Sequence, residues 1–169
     1  MVSRVGVTGH QARPGIDWDW VAKHMHDVLS RLEPGSRALT SLAAGSDQVF
    51  AREALSLGLL VTAVIPMAYY ERCFTPTNLP AYQELLLRCD RVELPGGGSD
   101  EEAFLAAGRY VADTCDIMVA VWDGQPAVGL GGTADVVAYC LEQGRYVIHI
   151  DTTHQVVRRL SSNLAQGPQ

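Results

Sequence analysis

The residues of this chain that could do chemistry fall into three short stretches. Thr8-Gly9-His10-Gln11 offers a hydroxyl, unhindered backbone and an imidazole. Ala43-Ala44-Gly45-Ser46-Asp47 offers small side chains followed by a hydroxyl and a carboxyl. Asp123-Gly124, with Gly129-Leu130-Gly131-Gly132-Thr133 close behind, offers an acid and then a glycine loop. Small residues directly ahead of a helix let an anion approach the backbone, where N–H groups and the positive end of the helix dipole can hold phosphate. The chemistry suggested is phosphate recognition by backbone amides. Plain structural roles are open to the same residues: Thr133 and Asp47 as helix caps, Asp123 as a turn acceptor, His10 as a strand-end side chain.

The elements that must position these stretches alternate regularly. Val2 to Thr8, dense in β-branched residues, reads as a strand ended by Gly9. Asp17 can cap a helix whose stripe is Val21, Ala22, Met25, Val28, Leu29 and Leu32, stopped by Pro34-Gly35. Arg37 to Leu42 reads as a second strand, and Ser46 or Asp47 as the cap of a helix closed by Gly58. Leu59 to Ile65 is apolar almost throughout, as a strand covered on both faces should be. Pro66 to Pro80 reads as mostly irregular, followed by a helix from Ala81 to Cys89 and a short strand from Arg91 to Leu94. Ser99 and Glu102 have capping-box spacing for a helix running to Thr114. Asp116 to Trp122 and Tyr146 to Ile150 read as strands flanking a helix from Thr133 to Gln143. This rhythm predicts right-handed βαβ units and one three-layer α/β domain with a mainly parallel sheet, over residues 1–151. Residues 152–169 turn polar and read as a partly disordered tail. In such a sheet ligands collect beyond the carboxyl ends of the strands, where all three stretches lie.

Composition narrows the function further. Of 169 residues 47% are hydrophobic and 19% charged, which excludes a disordered chain. The net charge of −6, with Lys23 the only lysine among 13 basic residues, argues against a nucleic-acid binder. No apolar run is long enough to span a bilayer, and the N-terminus reaches Gly9-His10 too soon for an export signal. Cys73, Cys89, Cys115 and Cys140 lie far apart without a Cys-x-x-Cys pair, so they read as buried, reduced residues of a cytoplasmic protein rather than as a metal site. A Walker A loop is excluded, because Lys23 lies inside the first helix. Gly129-x-Gly131-x-x-Ala134 fits a dinucleotide fingerprint, with Asp151 where a ribose-binding acid belongs, but Asp123 to Val128 intervenes where the fingerprint needs an immediate turn.

The arrangement resembles a known superfamily. Gly6-Val7-Thr8-Gly9-His10, then Ser41-Leu42-Ala43-Ala44-Gly45-Ser46-Asp47 with Phe50-Ala51 and Ala54-Leu55, resembles the first half of the SLOG superfamily. That group joins DNA-processing protein A, the Lonely Guy proteins (lysine decarboxylase-like by name) and the molybdenum-cofactor carrier proteins. Asp116 to Trp122 followed by Gly131-Gly132-Thr133 resembles the Gly-Gly-x-Gly-Thr loop of Lonely Guy proteins, and the likeness covers residues 2 to 151.

The resemblance implies a Rossmann-like domain that binds nucleotides or nucleotide-derived ligands such as AMP or ADP-ribose through its two loops. It implies ligand contacts at Thr8, Gly9, His10, Ala44, Gly45, Ser46, Asp47, Asp123, Gly124, Gly131, Gly132 and Thr133. Tyr69 or Tyr70 could stack on a base. Lonely Guy phosphoribohydrolases cleave a nucleoside monophosphate with a glutamate three residues beyond the loop threonine, and Val136 stands there in this chain. A valine can neither activate water nor stabilise a ribosyl cation. Binding, as a sensor or carrier, is therefore the expected function. The alternative is an N-ribosidic hydrolase or transferase using Asp135, Asp123 or Glu101. A homodimer is a further possibility, since Lonely Guy relatives form dimers.

Overall fold

In a computed structural model, which describes residues 2–127 and 129–162, the chain forms one seven-stranded sheet flanked by five helices. In chain order the elements are β1 (Arg4–Gly9), α1 (Trp18–Leu29), β2 (Arg37–Thr40), α2 (Ser46–Ser56), β3 (Leu60–Ile65), α3 (Leu79–Leu86), β4 (Asp90–Glu93), α4 (Asp100–Thr114), β5 (Ile117–Trp122), α5 (Thr133–Glu142), β6 (Tyr146–Asp151) and β7 (Val156–Leu160). The strands lie in the order β4-β3-β2-β1-β5-β6-β7. Every neighbouring pair is parallel except β6 with β7.

Strand alternation sets the two cores. Val5 and Val7 of β1 and Val119 and Val121 of β5 point to one face, where α1 contributes Val21, Met25 and Leu29, and α2 contributes Phe50 and Ala54. Met118 and Ala120 of β5 and Val147 of β6 point to the other, against Ala107 and Val111 of α4 and Val136 and Val137 of α5. Phe50 is fully buried, a contribution of roughly 2 kcal/mol from one side chain. A third cluster, around Tyr70, Tyr82 and Leu85, seats α3 and the segment after β3 against α2.

The local signals hold at several boundaries. Asp17 accepts the Trp20 N–H at 3.0 Å and caps α1. Ser99 and Glu102 close both halves of their capping box at 3.2 and 2.8 Å. Three expectations change. The cap of α2 is Gly45, with no side-chain bond, and neither Ser46 nor Asp47. The segment after Pro66 carries a 3-10 turn at Tyr70–Cys73, and α3 begins at Leu79, two residues before Ala81. Residues 156–160, expected within a polar tail, form β7 on the sheet edge, while residues 163–169 lie outside the described part. Asp151 explains the turn that makes this possible. Its carboxylate, 2% exposed, accepts the Thr153 and His154 N–H groups and pairs with Arg158 at 3.2 Å. Burial opposes its charge, but the His154 and Thr153 contacts outweigh that and hold its pKa at about 2.

From β1 the chain runs outward through β2 and β3 to β4, and then returns to lay β5 on the other side of β1. The carboxyl ends of β1 and β5 therefore form the topological switch point, the place where open α/β sheets hold ligands. Among the described residues no helix is long and apolar enough to cross a membrane.

Candidate functional site

A cleft of about 970 Å³ opens at this switch point, within the size range of small-molecule sites. Its floor is Thr8, Gly9, Ala43, Ala44 and Asp47, with Ala107, Gly108, Val111 and Val136 behind. Of the residues expected to contact ligand, it brings together Thr8, Gly9, His10, Ala44, Asp47, Asp123, Gly131, Gly132 and Thr133. Gly45, Ser46, Gly124 and Asp135 are outside its lining.

The loop after β2 shows why Gly45 and Ser46 do not reach it. The His10 carbonyl accepts both the Ser46 N–H at 3.1 Å and the Ser46 hydroxyl at 2.7 Å, and Ala12 N–H donates to the Ala44 carbonyl. Gly45 bridges Gln11 in the same contact, at φ 100° and with its Cα so close that a Cβ would sit 2.5 Å from the Ala12 nitrogen. Gly9 is similarly confined, since a Cβ there would lie 2.6 Å from Ser46 Oγ. The buried Leu42 takes a left-handed φ of 58°, costing roughly 1–2 kcal/mol, and is fixed by Gln48 donating to its carbonyl and by its own N–H donating to Thr40. The donors of this loop hold the fold together; Ser46, 1% exposed, has no surface for a phosphate.

Asp47 is the exception, a nearly buried acid at the floor of the cleft. Burial pushes its pKa up to about 7, although the N–H groups of Ala43 and Ser41 and the Thr40 hydroxyl work the other way. Its carboxylate accepts the Ala43 N–H at 3.3 Å.

The wall after β5 is built around Asp123. One carboxylate oxygen accepts the Gln125 N–H at 3.0 Å, and the other accepts from Arg13 at 3.1 Å. Burial opposes its charge, but Gln125, Arg13 and His10 together hold its pKa below the ordinary carboxylate value. His10 Nε2 accepts the Asp123 N–H at 3.0 Å, which assigns the ring proton to Nδ1. Burial and Arg13 lower the His10 pKa, so this ring is neutral at physiological pH and its Nε2 lone pair is already used.

Gly131, Gly132 and Thr133 approach the cleft from the start of α5. Asp135 reaches back to accept the Gly131 N–H at 3.0 Å, which gives this candidate acid a place in the loop rather than in the cleft. At the start of α5 the Asp135 and Val136 N–H groups donate to the Gly132 carbonyl at 3.0 and 3.3 Å, and the residues ahead of them, Gly132, Thr133 and Ala134, line the cavity. Val136, 3% exposed, belongs to the apolar floor.

The segment after β3 forms the remaining wall. Tyr70 is 5% exposed and packs edge-on against Phe74, Tyr82 and Phe104, so it is a core residue. Tyr69 is 44% exposed, and its hydroxyl donates to Asp100 at 2.8 Å. Cys73, expected to be buried, is an exposed thiol on this wall. Arg13 and Arg72, which sequence reasoning passed over, supply the two cationic side chains. Arg13 follows Gly9-His10 closely enough to be found by reading past the strand end; Arg72 has no local signal and is brought in by the fold. Asp151 lines no part of the cleft, because its carboxylate serves the β6–β7 turn, which removes the acid needed for the dinucleotide fingerprint. Among the described residues no group of three or more His, Cys, Asp or Glu could hold a metal ion.

The fold is that of a Rossmann-like α/β domain, with a cleft at the sheet's switch point. Comparison with solved structures places it further. The chain is similar to DNA processing protein A from Streptococcus pneumoniae at 22% identity and TM-score 0.61, over 88% of this chain and half (50%) of that one. It is similar to DNA processing protein A from Helicobacter pylori at 16% identity and TM-score 0.60, over 87% and 64% of the two chains; that structure concerns single-stranded DNA binding. It is also similar to the Moco carrier protein of Chlamydomonas at 17% identity and TM-score 0.55, over 88% and 76%. The likeness is one of fold, and it reaches two of the branches that the SLOG resemblance names. No protein-family profile and no curated protein matches the sequence.

Proposed function

We propose that this chain binds a nucleotide or nucleotide-derived small molecule, as a sensor or carrier, in the cleft between β1 and β5. The observation that carries this reading is a 970 Å³ cavity at the switch point into which the start of α5, Arg13 and Arg72 all open. A phosphate would rest on the N–H groups around Gly132 and Thr133 and be met by arginine, and Asp123 would accept from a ribose hydroxyl. Tyr69 is the most exposed aromatic residue of the lining and would stack on a base. A structural neighbour described as a cofactor carrier makes the carrier role a natural one for this fold.

Hydrolysis of an N-ribosidic bond is the weaker reading, because Asp135 is committed to Gly131 and the neighbouring position is Val136. A net charge of −6 favours a small molecule over a DNA strand.

The test is a thermal-shift panel of adenine and guanine mono-, di- and cyclic nucleotides and ADP-ribose. At least one should raise the Tm, and Gly132→Asp should abolish that rise by placing a carboxylate against the phosphate. Because a Cβ at residue 132 meets Ala127 at 3.0 Å, Gly132→Ala serves as the steric control and should keep most of the response. No shift with any compound sinks the proposal. Release of free base from a nucleoside monophosphate, lost in Asp135→Asn, would instead establish the enzyme. Salt-dependent binding of a single-stranded oligonucleotide would point to nucleic acid.

A further inference from the structure

Arg13 and Arg72 are the cationic side chains among the described residues lining the cleft, against Asp47, Asp100 and Asp123. Asp123 is bound to Arg13, and Asp100 accepts the Tyr69 hydroxyl at the rim. His10 is neutral, with Nε2 taken by the Asp123 N–H. Two arginines therefore offset two aspartates, and Asp47 is left over on the floor, 9% exposed and without a cation among its contacts.

We infer that the cleft admits ligands carrying no more than a single phosphate group, and that Asp47 is the residue that sets this limit. The inference deepens the nucleotide reading and rests on it for the ligand's identity, though not for its charge. A site built for a polyphosphate collects cations; this one has as many acids as bases before Asp47 is counted. A carboxyl enclosed in low dielectric interacts strongly with any charge brought beside it. With its proton, Asp47 is a neutral donor to a ligand oxygen. Without it, the floor is negative and repels a phosphate.

The same floor makes binding depend on pH. The groups around Asp47 are Thr40 of β2, Tyr70 of the segment after β3, and, elsewhere in the lining of the cleft, His10, Arg13, Tyr69, Arg72, Cys73, Asp100 and Asp123. Of these, Tyr70 and Cys73 are shifted upward by burial, while His10 and Asp123 are shifted downward, away from neutrality. Asp47, at about 7, changes charge in the middle of the range from pH 6 to 8, and the same measurement on Asp47→Asn separates it from His10, which burial holds below its ordinary value.

The experiment uses two ligand series on the intact chain. Adenine and guanine nucleosides and their mono-, di- and triphosphates test the limit on nucleotides. Inorganic phosphate, pyrophosphate and tripolyphosphate test it without a base. In the wild type the first phosphate is accepted, and each phosphate beyond it should weaken binding by roughly tenfold, the size of a like-charge contact at intermediate dielectric. In Asp47→Asn, which can still accept the Ala43 N–H, that penalty should shrink. A cyclic monophosphate, whose charge is fixed across the range, should bind the wild type roughly tenfold more weakly at pH 8 than at pH 6. In Asp47→Asn that difference between pH 6 and pH 8 should largely disappear. Diphosphates that bind as well as monophosphates, or an unchanged cyclic-nucleotide affinity from pH 6 to 8, overturn the inference. If no nucleotide binds while the inorganic series shows the expected order, the nucleotide reading falls and the charge limit stands. Silence from both series overturns both.

Discussion

The loop between β2 and α2 and the loop between β5 and α5 look alike in sequence, since each carries glycine and small residues into a helix, yet they do different work. In the first, the Ser46 donors go to the His10 carbonyl, Gln48 holds the Leu42 carbonyl, and Ala43 N–H goes to Asp47. Its conformation is tight enough that Leu42 is forced to a positive φ in the core. In the second, one carboxylate, Asp135, takes the Gly131 N–H, and the helix start opens on the cavity. A glycine loop before a helix is an anion site only where its amides are still on offer. The first loop is a joint, and the second is the surface on which the phosphate proposal rests.

The largest expected effect separates joint from surface. Gly45→Ala places a Cβ 2.5 Å from the Ala12 nitrogen at φ 100°, and should cost about 3 kcal/mol or more in guanidinium denaturation. Gly129→Ala, at φ 85° with its nearest neighbour 3.9 Å away, should cost about 1 kcal/mol. Equal costs would break the distinction.

A middle effect comes from Asp47. In the unfolded chain it ionises near 3.8, but in the folded protein only near 7, so folding holds a proton that the unfolded chain releases. Stability therefore falls as pH rises between these values and is level above them. Asp47→Asn should be more favourable to stability at pH 8 than at pH 5.5 by roughly 2 kcal/mol, read from paired denaturation curves. A constant difference between variant and wild type would show that the acid is ionised throughout.

The smallest effect belongs to the open loop. Asp135→Asn weakens its charge-assisted hold on the Gly131 N–H and should cost about 1 kcal/mol. A loss several times larger would mean that this loop, too, is a joint.

Much of this architecture can be read in the sequence because local pattern and tertiary role coincide. The two buried faces of the strands leave apolar runs such as Val61–Ile65, and the helices carry their own caps at Asp17 and Ser99. Where the fold imposes a role, sequence pattern fails. Val156 to Leu160 has no clean alternation, and its place in the sheet is set by the turn that Asp151 ties. Ser46 has the chemistry of a cap but is used by a carbonyl thirty-six positions away in the chain. Most of the candidate residues do meet at one cleft, because strand ends converge at the switch point whatever their separation. The side chains supplying its positive charge were not legible, since Arg13 and Arg72 belong to no motif.

The antiparallel β7 also decides how the molecule can be handled. Leu160 lies opposite Val147, at the amino end of β6, and Arg4 begins β1 at that same end of the parallel strands. Both routes out of the sheet therefore lead away from the cleft mouth. A fluorophore attached at Arg4 or at Leu160 would sit at the end of the sheet opposite the opening, so a ligand screen in a sensor format can carry its reporter at either strand end.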